Sequence, residues 1–193
     1  MDLKLPPLIL ASASPRRDSL LRELELTFKP VISDATEVQN EQLTASELSQ
    51  LNAYRKARAV SKRFPDMLVI GADTVVYLDT MAYGKPRSME EAAEMLGRLQ
   101  GRSHQVVTGV CLVHLRRHRQ RLFFDSTFVT FRPLNASEIR RYLEAVEPFD
   151  KAGAYAIQEQ GDQLVESIEG SYSNVVGLPL ERLKRELAAF QLE

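Results

Sequence analysis

The segment Ser12–Arg17 combines two serines with two arginines directly after a short apolar run, Leu8 to Ala11. The run predicts a buried strand, and Ser14 followed by Pro15 predicts the N-cap and first residue of a helix. Free backbone N–H groups at such a helix start attract anions, most naturally phosphate. Arginines oppose the helix dipole there, and a bound anion would remove the conflict. An ordinary capped helix with two solvated arginines explains the segment equally well.

A second candidate is Asp73, which interrupts the valine-rich apolar run 67–78. Aspartate is disfavoured in strands, and burying its charge is costly unless it is paired or bound to metal. Gly71 lies two residues earlier and permits close approach of a ligand or of a neighbouring backbone. The pattern favours a catalytic or metal-binding carboxylate. The alternative is an aspartate at a strand end that caps the next turn.

Further charged residues could complete such a site. Asp34 and Glu37 lie in a polar loop and could add a second carboxylate for Mg²⁺, although a solvated acidic loop is as good an explanation. Lys56 belongs to the basic group Arg55–Arg58 on a predicted helix, where a solvated face is the default interpretation. Lys85 lies between a glycine and a proline on an extended turn, from which it could reach a phosphate, although lysines in turns are usually just exposed.

Two segments rich in small residues, 150–158 and 170–179, are typical of backbone that packs closely around a ligand, but each is a weak signal alone. The basic cluster Arg116–Arg121 has no interleaved aromatic residues, which favours a solvated loop over a nucleic-acid patch. The three histidines lack zinc-site spacing. Cys111, in an apolar run, is interpreted as a small core residue.

The bulk composition indicates a globular protein. The chain has 193 residues, of which 44% are hydrophobic and 26% charged, with a net charge of −1. We therefore expect one domain, 1–193, and no global attraction to nucleic acid or acidic membranes. A single cysteine fits a reducing compartment. With no segment long enough for a signal-peptide core or a membrane span, the expected location is the cytoplasm.

The elements alternate irregularly between strands and helices. Apolar periodicity and capping residues predict helices at about 15–24, 46–63, 88–99, 137–146 and from Pro179 onward. Strands are predicted at 8–11, 67–78, 105–115 and 122–131, the last two forming a hairpin, with two short strands near 154–158 and 163–168. This order predicts an α/β fold with a mixed sheet and a cleft.

Taken together, the motifs resemble those of the Maf family, whose members are nucleotide pyrophosphatases. The resemblance covers Leu8 to about Leu187 and rests on five segments in the right order. They are Ser12–Arg17, Gly71–Thr74, Gly84–Pro86, Asp150–Tyr155 and Asn174–Pro179. Five short motifs in order are far more specific than any one of them. The resemblance implies a twisted mixed sheet flanked by helices, with two lobes and a cleft between them, as in ITPase-like folds.

The resemblance also implies roles for individual residues. Asp73 would be the general base and, with Glu37, a ligand of a divalent metal, Mg²⁺ or Mn²⁺. The triphosphate and metal site would be lined by Ser12, Arg16, Arg17, Glu37, Lys56 and Lys85.

A subfamily is implied as well. The sister branch that prefers a methylated guanosine triphosphate has a tryptophan before the arginine pair and a glutamine after the catalytic aspartate, and this chain has neither. The segment Ala154–Gln158 resembles the branch that acts on dTTP and UTP, and in that branch Arg16, Thr74 and Gln158 would set base selectivity. The Gln158 amide can accept from N3–H of uracil or thymine while donating to O4, although a flipped amide would suit cytosine. The chain departs from the branch at Ala156, where glycine is usual.

Two other functions remain open at this stage. The chain could be a nucleotide-binding regulator of septum formation and cell division whose hydrolysis is incidental, or a house-cleaning pyrophosphatase for other non-canonical nucleotides. The expected partner is a nucleoside triphosphate, with no nucleic acid or membrane and with a homodimer as an option.

Overall fold

The structure is a computed structural model that describes residues 5–40 and 42–191. The expected domain, 1–193, therefore extends slightly beyond the described residues. Seven strands form one sheet: β1 (Leu8–Leu10), β2 (Phe28–Pro30), β3 (Leu68–Leu78), β4 (Met81–Tyr83), β5 (Ser103–His114), β6 (Arg119–Phe131) and β7 (Val165–Glu169). Their order is β2-β1-β3-β5-β6-β7, and β4 pairs with the far end of β3. β1 is parallel to β2 and β3, whereas the other pairs are antiparallel. The predicted mixed α/β sheet is confirmed.

Six helices flank this sheet: α1 (Pro15–Arg22), α2 (Ala45–Arg63), α3 (Met89–Leu99), α4 (Ala136–Ala145), α5 (Tyr172–Val176) and α6 (Leu180–Ala188). Side-chain caps mark the start of all of these helices except α6, which follows Pro179. Ser14 caps α1, and Thr44 caps α2 in a full capping box with Glu47. Ser88 accepts from the Glu91 backbone at the start of α3, but the Glu91 carboxylate bonds to the Arg87 backbone instead of completing a box. No described helix combines the length and apolar composition that crossing a bilayer requires.

The long strands carry two separate cores on one face. Near β1, the strands pack against α1 and α6 around Leu21, Ile70, Leu112 and Leu183. Toward the other end, the same face packs against α3 and α4 in a second core that includes Val76, Leu96, Phe131 and Tyr142. These two cores correspond to the two expected lobes.

Helix α2 covers the opposite face of the sheet, over β3 and β5, where Ala53, Ala57 and Val60 pack against Val69 and Cys111. Cys111 is fully buried, as expected of a core residue, and burial raises its pKa to about 12.

The strand predicted near 154–158 is wrong. Residues Ala152–Ala154 form a 3₁₀ turn instead, with Gly153 and Ala154 both at positive φ, near 69° and 65°. Left-handed backbone angles interrupt the extended conformation that a regular strand requires. The backbone N–H of Ala156 donates to the buried Tyr142 hydroxyl at 3.0 Å, so a side chain supplies the acceptor that a neighbouring strand would have offered. The short elements β2, β4 and α5 were not predicted.

Candidate active site

Helix α2 rests directly on the backbone of two strands because glycines face it. A Cβ on Gly71 would lie 2.4 Å from the carbonyl oxygen of Ala53, and one on Gly109 would lie 2.4 Å from the backbone nitrogen of Gln50. Gly109 pairs with Asp73 across the β3–β5 ladder. Because neither glycine has a side chain, α2 packs close enough to the sheet for polar side chains of the helix to reach the Asp73 carboxylate.

Asp73 is buried, with 6% of its surface exposed, and both carboxylate oxygens have partners from α2. The Lys56 ammonium donates to Oδ1 at 2.6 Å, and the Asn52 amide donates to Oδ2 at 3.2 Å. The site is therefore an oriented carboxylate held by one charged and one neutral donor. Lys56 is not on a solvated face, because only 13% of its side chain is exposed.

Glu37 brings a second carboxylate to the same cation. Its Oε1 accepts from Lys56 at 2.7 Å and lies 3.7 Å from the Lys85 ammonium. Partial burial alone would raise the pKa of Glu37, but the charges of Lys56, Lys85 and Arg17 and the Lys56 hydrogen bond outweigh it, so the pKa lies below its ordinary value. Asp34, the other acid considered in this loop, is exposed.

Arg17 is held from the opposite side of β3. Its Nε donates to the carbonyl of Gly177 at 2.8 Å, and Nη2 donates to the Thr74 hydroxyl at 2.8 Å. Burial lowers the pKa of Arg17, while the charges of Asp73 and Glu37 act in the opposite direction. These contacts fix the guanidinium beside the cleft described below.

Arg16 pairs with the loop that follows α4. Its Nη1 donates to Asp150 Oδ2 at 3.1 Å and lies 3.8 Å from Glu159. Lys151 is almost fully buried and holds the same two acids, at 2.7 Å and 3.3 Å. We expected the two arginines to be electrostatically awkward unless an anion is bound, and this is wrong for Arg16, because Asp150 already supplies an opposite charge.

A cleft of about 780 Å³ opens between the two cores, and a recess of about 220 Å³ adjoins it. Arg16, Asp73, Thr74 and Gln158 line the cleft, and Ser12 and Lys56 line the recess. Both spaces are lined by Ser14, Arg17, Glu37, Lys85 and Asp150. The structure thus gathers around two adjoining spaces Ser12, Arg16, Arg17, Glu37, Lys56, Asp73, Thr74, Lys85 and Gln158, whereas Asp34 lines neither space.

Sequence reasoning missed Asn52. This residue is buried, and besides contacting Asp73 it exchanges two hydrogen bonds with the Val38 backbone, at 2.7 Å and 3.1 Å. It therefore ties the segment that carries Glu37 to the helix that carries Lys56. The available signal was its spacing: Asn52 and Lys56 are four residues apart, hence on one helix face.

The basic cluster makes intramolecular contacts instead of forming an open patch. Arg116 pairs with Asp66, Arg121 pairs with Glu186, and Arg119 bonds to the carbonyl of Ala189. Their side chains remain largely exposed, in agreement with the solvated interpretation. Within the part of the chain that the structure describes, no group of three or more His, Cys, Asp or Glu residues is placed to hold a metal.

The fold and this cleft define an α/β protein with a carboxylate and cation site on an interior strand of a mixed sheet. A family model described as Maf-like protein matches residues 7–190. The chain belongs to the Maf family.

Similar curated proteins are named dTTP/UTP pyrophosphatase. One from Symbiobacterium thermophilum is 48% identical and covers 95% of this chain and 93% of its own. Another, from Bacillus velezensis, is 47% identical and covers 96% and 97%. Among solved structures, a HAM1 protein from Coxiella burnetii matches 66% of this chain and 73% of its own, with 16% identity and a TM-score of 0.45.

Proposed function

We propose that this protein is a nucleoside triphosphate pyrophosphatase that hydrolyses dTTP and UTP to the monophosphate and pyrophosphate. The observation that carries the proposal is the buried Asp73 carboxylate, oriented by Lys56 and Asn52 beside a cleft lined with further cations. The names of relatives at 47–48% identity over nearly the full chain support the substrate assignment. The same proposal takes the chain to be a single domain that acts in the cytoplasm.

Asp73 would act as the general base. A water molecule within reach of its carboxylate loses a proton to Asp73 while the water oxygen bonds to the α-phosphorus. The bond between that phosphorus and the bridging oxygen breaks, and pyrophosphate leaves with its electron pair. Positioned proton transfer of this kind is typically worth about 10²–10⁴-fold in rate.

The cations would hold the triphosphate. Arg17, Lys56 and Lys85 lie around the space where Glu37 and Asp73 converge, and Arg16 lies at its rim. Fixed positive groups stabilise the charge that develops on the leaving pyrophosphate, because they need no reorganisation during the reaction. Ser12 lines the adjoining recess, where its hydroxyl can bond to a phosphate oxygen.

The carboxylates also fit a divalent metal. Oδ1 of Asp73 and Oε1 of Glu37 converge on one cationic nitrogen of Lys56, at 2.6 Å and 2.7 Å. Two hard oxygen ligands are what Mg²⁺ or Mn²⁺ takes from a protein when phosphates and water supply the rest. When bound there, the metal would supply charge neutralisation to the phosphate oxygens.

Base selectivity is assigned to Arg16, Thr74 and Gln158. All three line the cleft, and the Gln158 side chain is exposed to it. A primary amide offers one acceptor and two donors, which complements the N3–H and O4 edge of uracil and thymine.

A nucleotide panel tests this function. With Mg²⁺ or Mn²⁺ present, dTTP and UTP should yield pyrophosphate as the first product, and excess EDTA should stop the reaction. Orthophosphate as first product, or unchanged turnover in EDTA, contradicts the proposal. A protein that binds nucleotide without turnover would support the regulator of septum formation instead, and a preference for other non-canonical nucleotides would support a house-cleaning role. Light scattering of the purified protein tests whether it forms a homodimer.

A further inference from the structure

A buried chain of hydrogen bonds connects Arg17 to the interior of the sheet. Arg17 Nη2 lies 2.8 Å from the Thr74 hydroxyl, which lies 3.0 Å from the Thr108 hydroxyl. Thr108 in turn donates to the carbonyl oxygen of Asn174 at 3.0 Å. Thr108 and Asn174 are completely buried, so water does not compete for these bonds.

The direction of every bond in this chain is determined. A hydroxyl has one proton, and a carbonyl oxygen can only accept, so Thr108 donates its proton to Asn174. Thr108 must then accept from Thr74, which leaves the Thr74 oxygen as an acceptor toward Arg17. Arginine can only donate. All three bonds therefore run inward from the guanidinium.

This arrangement leaves one side of Arg17 available. Of its five N–H donors, the Nε donor is used by Gly177 and one Nη2 donor by Thr74. Within residues 5–40 and 42–191, no acceptor is recorded for the other three, and Arg17 lines both the cleft and the recess. Because the guanidinium is already held at two points, its remaining N–H donors can bind an anion with little further loss of side-chain conformational entropy.

We propose that Thr108 is a positioning residue for phosphate binding: by accepting the hydrogen bond that the Thr74 hydroxyl donates, it leaves the Thr74 oxygen as an acceptor for Arg17 and thereby orients the guanidinium. Without Thr108, the Thr74 proton would have no interior acceptor and would compete with Arg17 for the space between them. The proposal rests on the proposed function only in taking a triphosphate as the ligand.

Inorganic tripolyphosphate is the probe, with binding measured by calorimetry on the full chain. Thr108→Val should weaken binding about tenfold, the size of one hydrogen bond to a charged group. Thr108→Ser keeps the hydroxyl and should restore affinity to within about threefold of the parent. Thr74→Val breaks the same chain at a less buried position and should reproduce the loss, which keeps the test available if Thr108→Val does not fold.

Thr127→Val is the matched control. Thr127 is equally buried and also anchors α5, since it bonds to the backbone of Ser171 at 3.1 Å and 3.2 Å. It accepts from the side-chain amide of Asn174 at 3.0 Å but does not contact Thr74 or Arg17. It should lower the melting temperature and leave tripolyphosphate affinity unchanged. Equal weakening by Thr127→Val would mean that Thr108 acts only through general packing, and would overturn the proposal.

A double-mutant cycle with Arg17→Ala supplies the sharpest readout. If Thr108 acts through Arg17, Thr108→Val should cost little further affinity once Arg17 is removed. The same tenfold loss in both backgrounds overturns the proposal, as does a parent protein that does not bind tripolyphosphate. A parent that binds tripolyphosphate but releases no pyrophosphate from dTTP or UTP would contradict the proposed function and leave this inference standing.

Discussion

Asp73 and Thr74 are consecutive residues of β3, yet their side chains leave the sheet from opposite faces. Asp73 meets Lys56 and Asn52 of α2, whereas Thr74 meets Arg17. Both reach one cleft because β3 lacks a neighbour on one side here: its pairing with β1 ends at Ile70, and its pairing with β4 begins at Val76. The opening lets a ligand contact both faces of the same strand.

Asp73→Asn should abolish pyrophosphate release while nucleotide binding and the melting temperature stay close to those of the parent. The amide keeps the shape of the side chain but is a poor base and a weaker metal ligand. Steady-state assays with dTTP, paired with calorimetry, measure both effects. Asp79→Asn, at the exposed end of the same strand, serves as the control and should retain activity. If Asp73→Asn keeps more than about a tenth of kcat, Asp73 is not the base.

Asn52→Leu should lower both kcat and stability. It removes the donor to Asp73 and both bonds to the Val38 backbone, and it leaves three polar groups without partners. Unsatisfied buried groups cost about 1–3 kcal/mol each, although a displaced loop would find water and reduce the total. We expect kcat to fall at least about tenfold, since a misplaced base loses much of its effect.

The control for this variant is Gln50→Leu, because the one side-chain bond of Gln50 within the described residues stays in its own helix, to the carbonyl of Ser46 at 3.0 Å. Comparable losses of kcat in both variants would show that α2 tolerates no leucine on this side, and that Asn52 has no particular link to Asp73.

Gly109→Ala and Gly97→Ala should shift stability in opposite directions. The new methyl at 109 would collide with the α2 backbone, and overpacking of this kind costs about 1–3 kcal/mol. Displacing α2 also moves Lys56 away from Asp73, so activity should fall. At Gly97, on the exposed face of α3, a Cβ meets nothing within 4 Å, and alanine should stabilise by up to about 1 kcal/mol. Urea unfolding measures both; a Gly109→Ala protein as stable as the parent would contradict the packing argument.

His104 should make the protein sensitive to acid. Burial lowers its pKa from 6.5 to about 4, and its Nε2 lies 2.8 Å from the Tyr155 hydroxyl. Between these pH values the unfolded chain binds a proton that the folded chain does not, so stability is full above pH 6.5 and falls toward pH 4. The full effect is roughly 3 kcal/mol.

Urea unfolding at pH 7 and pH 4.5 tests this linkage. His104→Gln should lose less stability on acidification than the parent, because glutamine does not titrate. His118→Asn, in the exposed β5–β6 turn where φ is 48°, should lose as much as the parent. Identical pH dependence in the parent and His104→Gln would contradict the assignment.

The sequence by itself determined most of the regular elements. Helix α2 was predictable because Thr44 and Glu47 form a local capping box and apolar residues recur at helical spacing. Strand β3 was predictable from its continuous apolar run, within which Asp73 is conspicuous. These signals are encoded by neighbours in the chain, so no tertiary information is needed to detect them. The short strands β2 and β4 carry too few residues for a periodicity, and their pairing partners lie elsewhere.

Only the tertiary structure decided which polar residues act together. Lys56 has the sequence context of a solvated helix face, and it is buried because Gly71 and Gly109 let α2 descend onto the sheet. Asn52 and Thr108 are ordinary residues in the sequence, and their importance comes from what they meet across separations of 21 and 34 residues, at Asp73 and Thr74. A hydrogen bond needs its two atoms within about 3 Å, a condition that long-range packing sets and local sequence does not.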